Sequence, residues 1–428
     1  MKEKRQFSRR DFLKVTAGTT TAAIGAPMII PNTVFGQDEK TLPPSERITV
    51  GHIGVGNQGG HLFRSIQRVK EAHSVAVADC FKSRREGHAA ACKGKAYHDF
   101  RDLLARDDID CVVIAVPDHW HVPIAVMAAR SKKSVYLEKP LSLSIEQNLL
   151  CQKVFAENKQ IFQYGTQQRG QSNCWLGCTL VRKGILGKIH TIEVDAPNGG
   201  AGGSTAEVPI PPDLGEDGYE MWLGPAPKKP YTHDRCKPNG TYLIYDQSIG
   251  YLGGWGSHPL DIMVWGCDAD LSGTINVEGT GIIPTEGLYD TIYNWNMKIK
   301  LGEVNLIFKH GSDRTRFIGE HGWIEVRRNG TSASNPELLK TPIDDNTTQI
   351  FKAKQNHYAD FINGVKTRTA PTSTLKDAVR SDNISHLCNI AVRTKSVVKW
   401  DPVNMKLINP TAEQSKMISR PLREPWTL

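Results

Sequence analysis

The 428-residue chain lacks several features that would assign it to a specialised class of protein. It has no internal repeat, no low-complexity tract and no CxxC pair, so neither a repeat fold nor a structural zinc site is expected. The closest pair among its nine cysteines is Cys174 and Cys178, one helical turn apart, a spacing that sits poorly with a disulfide inside a helix. We expect most of the cysteines to be small buried apolar side chains.

The body of the chain also lacks a clustered basic stripe. The formal net charge is +8, but half of it falls within residues 1–36. A nucleic-acid partner is therefore not expected. A hydrophobic fraction of 39% with 23% charged residues is ordinary for a globular chain, and the length predicts two domains.

The N-terminus carries an export pattern. It reads Ser8-Arg9-Arg10-Asp11-Phe12-Leu13-Lys14 before a mildly apolar run over residues 15–30. This matches the twin-arginine signal, and the run is too short and too rich in Thr, Gly and Ala for a membrane span. The alternative is an accidental Arg-Arg pair beside an apolar stretch. We predict a signal peptide over residues 1–36, a linker over 37–46, export by the twin-arginine machinery and a periplasmic location. Because this route moves folded proteins, a cofactor can be loaded before export.

The first part of the body alternates short apolar runs with helical patterns. Predicted strands cover residues 47–53, 74–79, 111–116, 134–137 and 161–165, and predicted helices cover 61–70, 121–131 and a segment capped by Ser144. This alternation predicts a doubly wound parallel sheet, a Rossmann domain over residues 47–167.

The remaining residues, 168–428, have a different pattern. After a strand at 189–196 and a Gly/Pro-rich stretch at 197–230, strands are predicted at 271–283, 291–300, 304–310 and 316–328, and helices at 350–365 and 375–395. Closely spaced strands favour antiparallel pairing. The fold class is therefore α/β: a Rossmann domain followed by a substrate-binding and oligomerisation α/β domain with a large, mainly antiparallel open sheet and a C-terminal tail.

A glycine-rich turn, Gly54-Val55-Gly56-Asn57-Gln58-Gly59, follows the first strand. In a G-x-G-x-x-G turn the glycines allow a tight bend, close approach to a pyrophosphate and close helix packing. Asp79 ends the second strand, where an acid can bind a ribose hydroxyl. The alternative is a helix-initiating turn with no ligand. The two features together predict NAD, with NADP as the alternative because Lys82, Arg84 and Arg85 follow.

Three further motifs occur in order: Pro117-Asp118-His119-Trp120-His121, then Glu138-Lys139-Pro140, then Gly253-Gly254-Trp255-Gly256-Ser257-His258-Pro259-Leu260-Asp261. With the glycine turn, they resemble the Gfo/Idh/MocA family of oxidoreductases over almost the whole body. The closing segment at 419–426 resembles the tail of exported members. The resemblance implies a cofactor site of Gly54, Gly56, Asn57, Gln58, Gly59, Asp79, Pro117, His121, Glu138 and Lys139, with Pro140 in a cis bond.

The resemblance also implies catalytic residues. Many members carry an aspartate four residues before the motif histidine, where this chain has Gly254, so the resemblance does not imply a simple copy of a Lys-Asp-His trio. We predict that His258 is the base, that Lys139 stabilises charge on the reacting oxygen, and that Asp261 supports them. The alternatives are a structural histidine and a surface lysine.

Substrate contacts are predicted for Gln168, Arg169 and Trp255, although core packing is an equal alternative for Trp255. His119 and His121 could act as metal ligands, but no third ligand is evident in the sequence, so no metal site is predicted.

The function predicted is an exported NAD(P)-dependent oxidoreductase that acts on a sugar, polyol or glycoside hydroxyl as a homodimer or homotetramer. The first alternative is a redox-neutral enzyme that cleaves glycosides by oxidising C3 with a held NAD. The second is a non-catalytic sugar-binding protein.

Overall fold

In the computed structural model, residues 42–237, 240–343 and 356–428 are described. The predicted signal peptide, the first half of the predicted linker and the first six residues of the helix predicted at 350–365 lie outside these ranges. Residues up to Arg47 form one unit, whose described part holds a short 3₁₀ helix, Pro44–Glu46. Residues Ile48–Leu428 form the other.

A six-stranded, all-parallel sheet organises the first half, with the strand order β3-β2-β1-β4-β5-β6. Its central strand β4 is buried along its whole length, as expected for a sheet covered on both faces. This is the predicted Rossmann sheet. The strands are β1 (Ile48–Ile53), β2 (Ala72–Ala78), β3 (Lys95–Tyr97), β4 (Cys111–Ile114), β5 (Ser134–Leu137) and β6 (Phe162–Tyr164).

The helices around this sheet differ from the prediction in the bounds of α1 and in elements that the sequence did not indicate. Helix α1 begins at Asn57, inside the glycine turn, and ends at Ile66, whereas the apolar periodicity predicted residues 61–70. Helices α2 and α3 and strand β3 were not predicted. Helix α2 gives no apolar pattern because it is polar and carries one buried side chain, Ala89. Ser144 caps α5 by accepting a hydrogen bond from the Gln147 amide, as predicted. The helices are α1 (Asn57–Ile66), α2 (Lys82–Cys92), α3 (Phe100–Leu104), α4 (His121–Arg130) and α5 (Ile145–Asn158).

A nine-stranded sheet organises the second half, in the order β13-β12-β11-β7-β10-β9-β8-β14-β15. Its described pairs are antiparallel except for the parallel pair β7 and β10, which confirms a mainly antiparallel sheet. The single strand predicted at 316–328 is a hairpin, since Gly322 turns the chain at a φ of +122°. The strands are β7 (Ile189–Ala196), β8 (Ile275–Ile282), β9 (Tyr293–Leu301), β10 (Val304–His310), β11 (Arg314–Gly319), β12 (Gly322–Arg327), β13 (Gly330–Ala333), β14 (Val398–Asp401) and β15 (Lys406–Leu407).

Helices of the second half pack on both sheets. The buried helix α9 and the long helix α11 lie against the nine-stranded sheet, whereas α10 returns to the Rossmann sheet, where Phe361 and Ile362 pack with Val50. The α/β fold class is confirmed, although chain order does not separate the two halves completely. These helices are α6 (Ser172–Arg182), α7 (Gly215–Leu223), α8 (Tyr251–Gly254), α9 (Ser257–Gly266), α10 (His357–Thr367), α11 (Leu375–Thr394) and α12 (Ala412–Lys416).

The nine cysteines are free thiols and most are buried, in line with the apolar role expected from the sequence. Across the described ranges, we find no helix with the length and apolar character that a membrane crossing requires.

Candidate active site

A cavity of about 360 Å³ lies at the carboxyl ends of the parallel strands and is also lined by the second half of the chain. One end is lined by the glycine turn, Asp79 and Phe81, and the other by Lys139, Trp255 and His258. Its position is the one that open parallel sheets use to bind ligands.

The glycine turn has the backbone geometry that a dinucleotide requires. Gly54 has a φ of +78°, and a Cβ on Gly59 would lie 2.1 Å from the Gly54 carbonyl oxygen. Side chains are therefore excluded at both positions. Gly56, Asn57 and Gln58 line the cavity at the start of α1, where unpaired amides and the helix dipole favour phosphate.

Asp79 is fixed at the end of β2 by two backbone amides. Its Oδ2 accepts from Val55 at 2.8 Å and its Oδ1 from Phe81 at 2.9 Å. Burial raises the pKa of Asp79, and these two hydrogen bonds oppose that shift. Of the three basic residues after β2, Arg84 lines the cavity, whereas Arg85 donates to the Asp79 and Cys80 carbonyl oxygens. An acid at the ribose position and an open glycine cradle fit NAD.

Lys139 is the central cation of the other end. Its Nζ donates to the Gly254 carbonyl oxygen at 2.9 Å and lies 5.7 Å from the Tyr242 ring centroid and 5.9 Å from that of Trp255. The Lys139-Pro140 bond is cis, as the resemblance implied. A Cβ on Gly254 would meet nothing within 4 Å, so the missing aspartate leaves open space beside the lysine.

His258 faces the same space from the first turn of α9. Its side chain is buried, its ring centroid is 5.9 Å from that of Trp255, and its Nδ1 has no hydrogen-bond partner among the described residues. Burial lowers the pKa of His258 well below its ordinary value, with smaller contributions from Arg328 and Lys139. The imidazole is therefore neutral at neutral pH, the form that can accept a proton.

Two predicted cofactor residues lie behind the cavity wall. His121 has Nδ1 2.5 Å from the Pro140 carbonyl oxygen and Nε2 3.0 Å from that of Val116, and burial lowers its pKa to about 4. Glu138 accepts from Gln58 at 2.9 Å and from Gln167 at 2.6 Å. Both residues position groups that line the cavity, and Pro117 lines it directly.

Of the three residues predicted to contact substrate, Trp255 lines the cavity, whereas Gln168 and Arg169 do not. Arg169 does not line the cavity, because its buried guanidinium donates to Asp261 at 2.6 and 2.7 Å and to Asp377 at 2.8 Å. Asp261, predicted to assist catalysis, is held in this pair away from the cavity wall. Gln168 instead donates to Asp313 at 3.0 Å. Trp255 lies on the wall as predicted.

Residues that the motifs did not identify complete the wall. Gln167 lines it one position before Gln168, and Tyr242 and Tyr251 come from a region with no recognisable pattern. Arg328 donates from Nε to Asp313 at 2.5 Å, which leaves its Nη2 buried without a partner within the described part of the chain. No sequence signal could have placed Arg328 here, since it lies in the turn between β12 and β13, more than 150 residues after the Rossmann motifs.

Asp118 and His119 are buried beside the cavity. Asp118 accepts from the Ser248 hydroxyl at 2.7 Å, and burial raises its pKa to about 7. His119 Nε2 lies 2.9 Å from the Trp222 carbonyl oxygen. Within the ranges described, no group of three His, Cys, Asp or Glu side chains could hold a metal ion.

Comparisons with known proteins agree with this geometry. The model of the NAD-binding Rossmann fold of the Gfo/Idh/MocA oxidoreductases matches residues 48–166, and the model of their C-terminal alpha/beta domain matches residues 180–428. The chain belongs to the Gfo/Idh/MocA oxidoreductase family. It is an NAD-binding enzyme.

Similar proteins include an alpha-N-acetylgalactosaminidase of Shewanella oneidensis, 30% identical over 42% of this chain and 44% of that protein. A glycosyl hydrolase family 109 protein of Shewanella sp. is 32% identical over 33% of this chain and 35% of its own length. The matched regions span less than half of these relatives.

Solved structures share the fold at low identity. The WlbA dehydrogenase of Bordetella pertussis, in complex with NADH and UDP-GlcNAcA, has a TM-score of 0.61 at 15% identity and covers 82% of this chain and 98% of its own. The scyllo-inositol dehydrogenase of Lactobacillus casei, with NAD(H) and scyllo-inositol, has a TM-score of 0.56 at 18% identity and covers 82% and 99%.

Proposed function

We propose that this protein transfers hydride between a tightly held NAD and a hydroxyl-bearing carbon of a sugar, polyol or glycoside. The observation that carries the proposal is the placement of Lys139 and His258 on the wall of the same cavity that the glycine turn lines. The sugar and inositol ligands in the structures of similar fold support the substrate class.

Lys139 and His258 have different proposed roles, because the lysine is charged and the histidine is neutral. The Lys139 ammonium, anchored on the Gly254 carbonyl oxygen, faces the reacting oxygen and stabilises negative charge that develops there. His258, kept neutral by burial, accepts the hydroxyl proton. Trp255 offers an apolar face to the ring, and the unpartnered Nη2 of Arg328 can donate to a substrate oxygen. When bound, NAD supplies the hydride acceptor.

Export is part of the proposal. The twin-arginine pattern at residues 8–14 supports a periplasmic enzyme that is loaded with NAD before it crosses the membrane. Since no dependable dinucleotide pool exists outside the cytoplasm, the cofactor must stay bound through many turnovers. We propose nanomolar affinity or better, about −12 kcal/mol, expressed mainly as slow release. A homodimer or homotetramer remains the assembly predicted.

Redox-neutral glycoside cleavage is the second candidate, and the names of the curated relatives favour it. Oxidation at C3 acidifies the adjacent C–H bond, a base removes that proton, and the glycosidic oxygen leaves as its bond to C1 breaks. Water then adds across the double bond, and reduction of the ketone at C3 would complete a cycle with no net redox change. Burial raises the pKa of Tyr242, which keeps its hydroxyl protonated as a donor to the leaving oxygen.

Aryl glycosides in deuterated water distinguish the two reactions. A simple oxidoreductase leaves the cofactor reduced, releases no aryl alcohol and incorporates no deuterium at C2. Glycoside cleavage releases the alcohol, labels C2 and returns the cofactor to its starting state. If neither pattern appears over a broad panel of sugars and glycosides, both proposals are contradicted.

A further inference from the structure

A segment from the second half of the chain, residues 211–226, crosses the adenosine end of the cavity. We call it the strap. At its start, Asp213 accepts hydrogen bonds from the Ser83 amide at 2.7 Å and the Ser83 hydroxyl at 2.6 Å, and its carbonyl oxygen accepts from the Lys82 amide at 2.9 Å. The strap is therefore tied to the first turn of α2, four residues after Asp79.

The other end of the strap is fixed to Trp120. The Trp120 indole donates to the Met221 carbonyl oxygen at 2.9 Å, and a Cβ on Gly224 would lie 2.0 Å from the Trp120 ring. Met221, Trp222 and Trp120 line the cavity together with Asp79 and Phe81. A dinucleotide whose ribose reaches Asp79 would have the strap as one of its walls.

The C-terminal tail, residues 420–428, holds the strap from outside. The Arg423 amide donates to the Pro225 carbonyl oxygen at 2.9 Å, and its Nε donates to the Gly224 and Ala226 carbonyl oxygens at 3.0 and 2.9 Å. Arg423 Nη1 also pairs with Glu220. The Arg423 side chain thus contacts one helix residue, Glu220, and two backbone carbonyl oxygens of the strap.

Trp426 reinforces the same place. Its ring meets the Trp120 ring edge to face, with centroids 4.7 Å apart, and the Arg101 guanidinium lies 5.3 Å from its ring centroid. The tail therefore contacts the strap through Arg423 and the cavity wall through Trp426. If the strap moves away from the cavity, either its contacts with Arg423 break or the tail moves with it and Trp426 leaves Trp120.

We propose that the C-terminal tail is a latch that positions the strap and sets the rate at which NAD leaves. The inference rests on NAD binding and deepens the proposed tight hold of the cofactor. Arg423 and Trp426 are positioning residues, because they act through the strap and Trp120. Charged hydrogen bonds to backbone carbonyls are strong enough for the loss of this guanidinium to change a release rate about tenfold or more.

The test measures release of NADH from the full-length protein. Fluorescence of bound NADH is followed after rapid mixing with excess unlabelled NAD, for the wild type and Arg423→Met. Arg420→Met is the matched control, since Arg420 lies on the same tail but packs on Tyr245 and donates to its carbonyl oxygen. Release should accelerate about tenfold in Arg423→Met and less than about twofold in Arg420→Met.

Additional readouts separate positioning from general damage. The melting temperatures of the two NAD-free variants should be equal, whereas the Kd for NAD should rise in Arg423→Met and not in Arg420→Met. Arg423→Lys should recover part of the slow release, because an ammonium can reach one of the strap carbonyls. Trp426→Leu should accelerate release as well.

Equal release from the wild type and Arg423→Met would overturn the latch, as would equal acceleration in the Arg420→Met control. Fast release from the wild type itself, whatever the variant does, would contradict the tight hold of the cofactor. Release rates do not depend on the substrate, so failure of every sugar to react would contradict the proposed reaction and leave the latch standing.

Discussion

At the scale of single residues, the chemistry centres on one cation held by a backbone carbonyl. Lys139 donates to Gly254 in the position where many relatives carry an aspartate, and no side chain fills the adjacent space. A carbonyl fixes the ammonium without neutralising its charge. The full charge is therefore retained for the oxygen of the substrate.

Lys139→Met should leave the protein folded and loaded with NAD but almost without turnover. Removal of a charged donor from the reacting oxygen is expected to cost about 3 kcal/mol or more in kcat/KM. The measurement pairs kcat/KM with the NAD content of the purified variant. A near-normal rate on the true substrate would exclude Lys139 from the mechanism.

The pH dependence of the rate should identify His258 as the base. Its neutral form is active, and burial lowers its pKa, so the acid limb of kcat/KM should lie well below the ordinary histidine value of about 6.5. His258→Ala should abolish hydride transfer and remove that limb. An acid limb near pH 6.5, with chemistry shown to be rate-limiting, would contradict this assignment.

Motif residues that bear on backbone geometry could be predicted from the sequence, whereas side-chain partners could not. Gly54 and Gly59 are where the pattern placed them, because their roles depend on the local turn. Arg169 and Asp261 are almost a hundred positions apart, and nothing in either motif indicates that they pair. Their charges satisfy each other in the core, so neither is presented to the cavity.

At the scale of elements, strands were easier to predict than helix starts. Buried parallel strands are continuous apolar runs, so β1, β4 and β5 were found almost to the residue. Helix α1 starts in glycines that give no apolar period, and α9 is buried all round, so neither start shows an amphipathic pattern. The strap could not be predicted, because its contacts depend on tertiary structure.

Asp261→Asn tests the buried cluster of Arg169, Asp261 and Asp377, which joins three elements. Arg169 follows β6, Asp261 lies on α9 and Asp377 lies on α11. Without the Asp261 charge, the buried Arg169 guanidinium keeps only Asp377 as a charged partner. We expect a loss of about 3 kcal/mol in the free energy of unfolding, measured by urea denaturation. The loss of kcat/KM should be smaller than that of His258→Ala, and an equal loss would make Asp261 a reacting group.

At the scale of the whole molecule, buried neutral histidines link stability to pH. His52 is buried on β1, 2.9 Å from the Ser74 hydroxyl, and burial lowers its pKa to about 3. Between about pH 6.5 and pH 3 the unfolded chain binds a proton at this position and the folded chain does not. The free energy of unfolding therefore falls by about 1.4 kcal/mol per pH unit from this group as the pH drops.

His52→Gln removes that contribution while keeping a partner for Ser74. Comparison of the two proteins by urea denaturation at about pH 7.5 and pH 5 should show that acid costs the variant about 2 kcal/mol less than it costs the wild type. Equal losses in the two proteins would show that His52 binds a proton as readily in the folded state as in the unfolded chain.

The most direct test of the central claim uses protein purified from the periplasm, dialysed extensively and mixed with sugars and glycosides without added NAD. We expect about one dinucleotide per chain, and near-ultraviolet absorbance of reduced nicotinamide that rises to match that bound amount with the right substrate. Lys139→Met should carry the same cofactor and show no rise. Wild-type protein that emerges empty and requires added NAD at high micromolar levels would contradict the account.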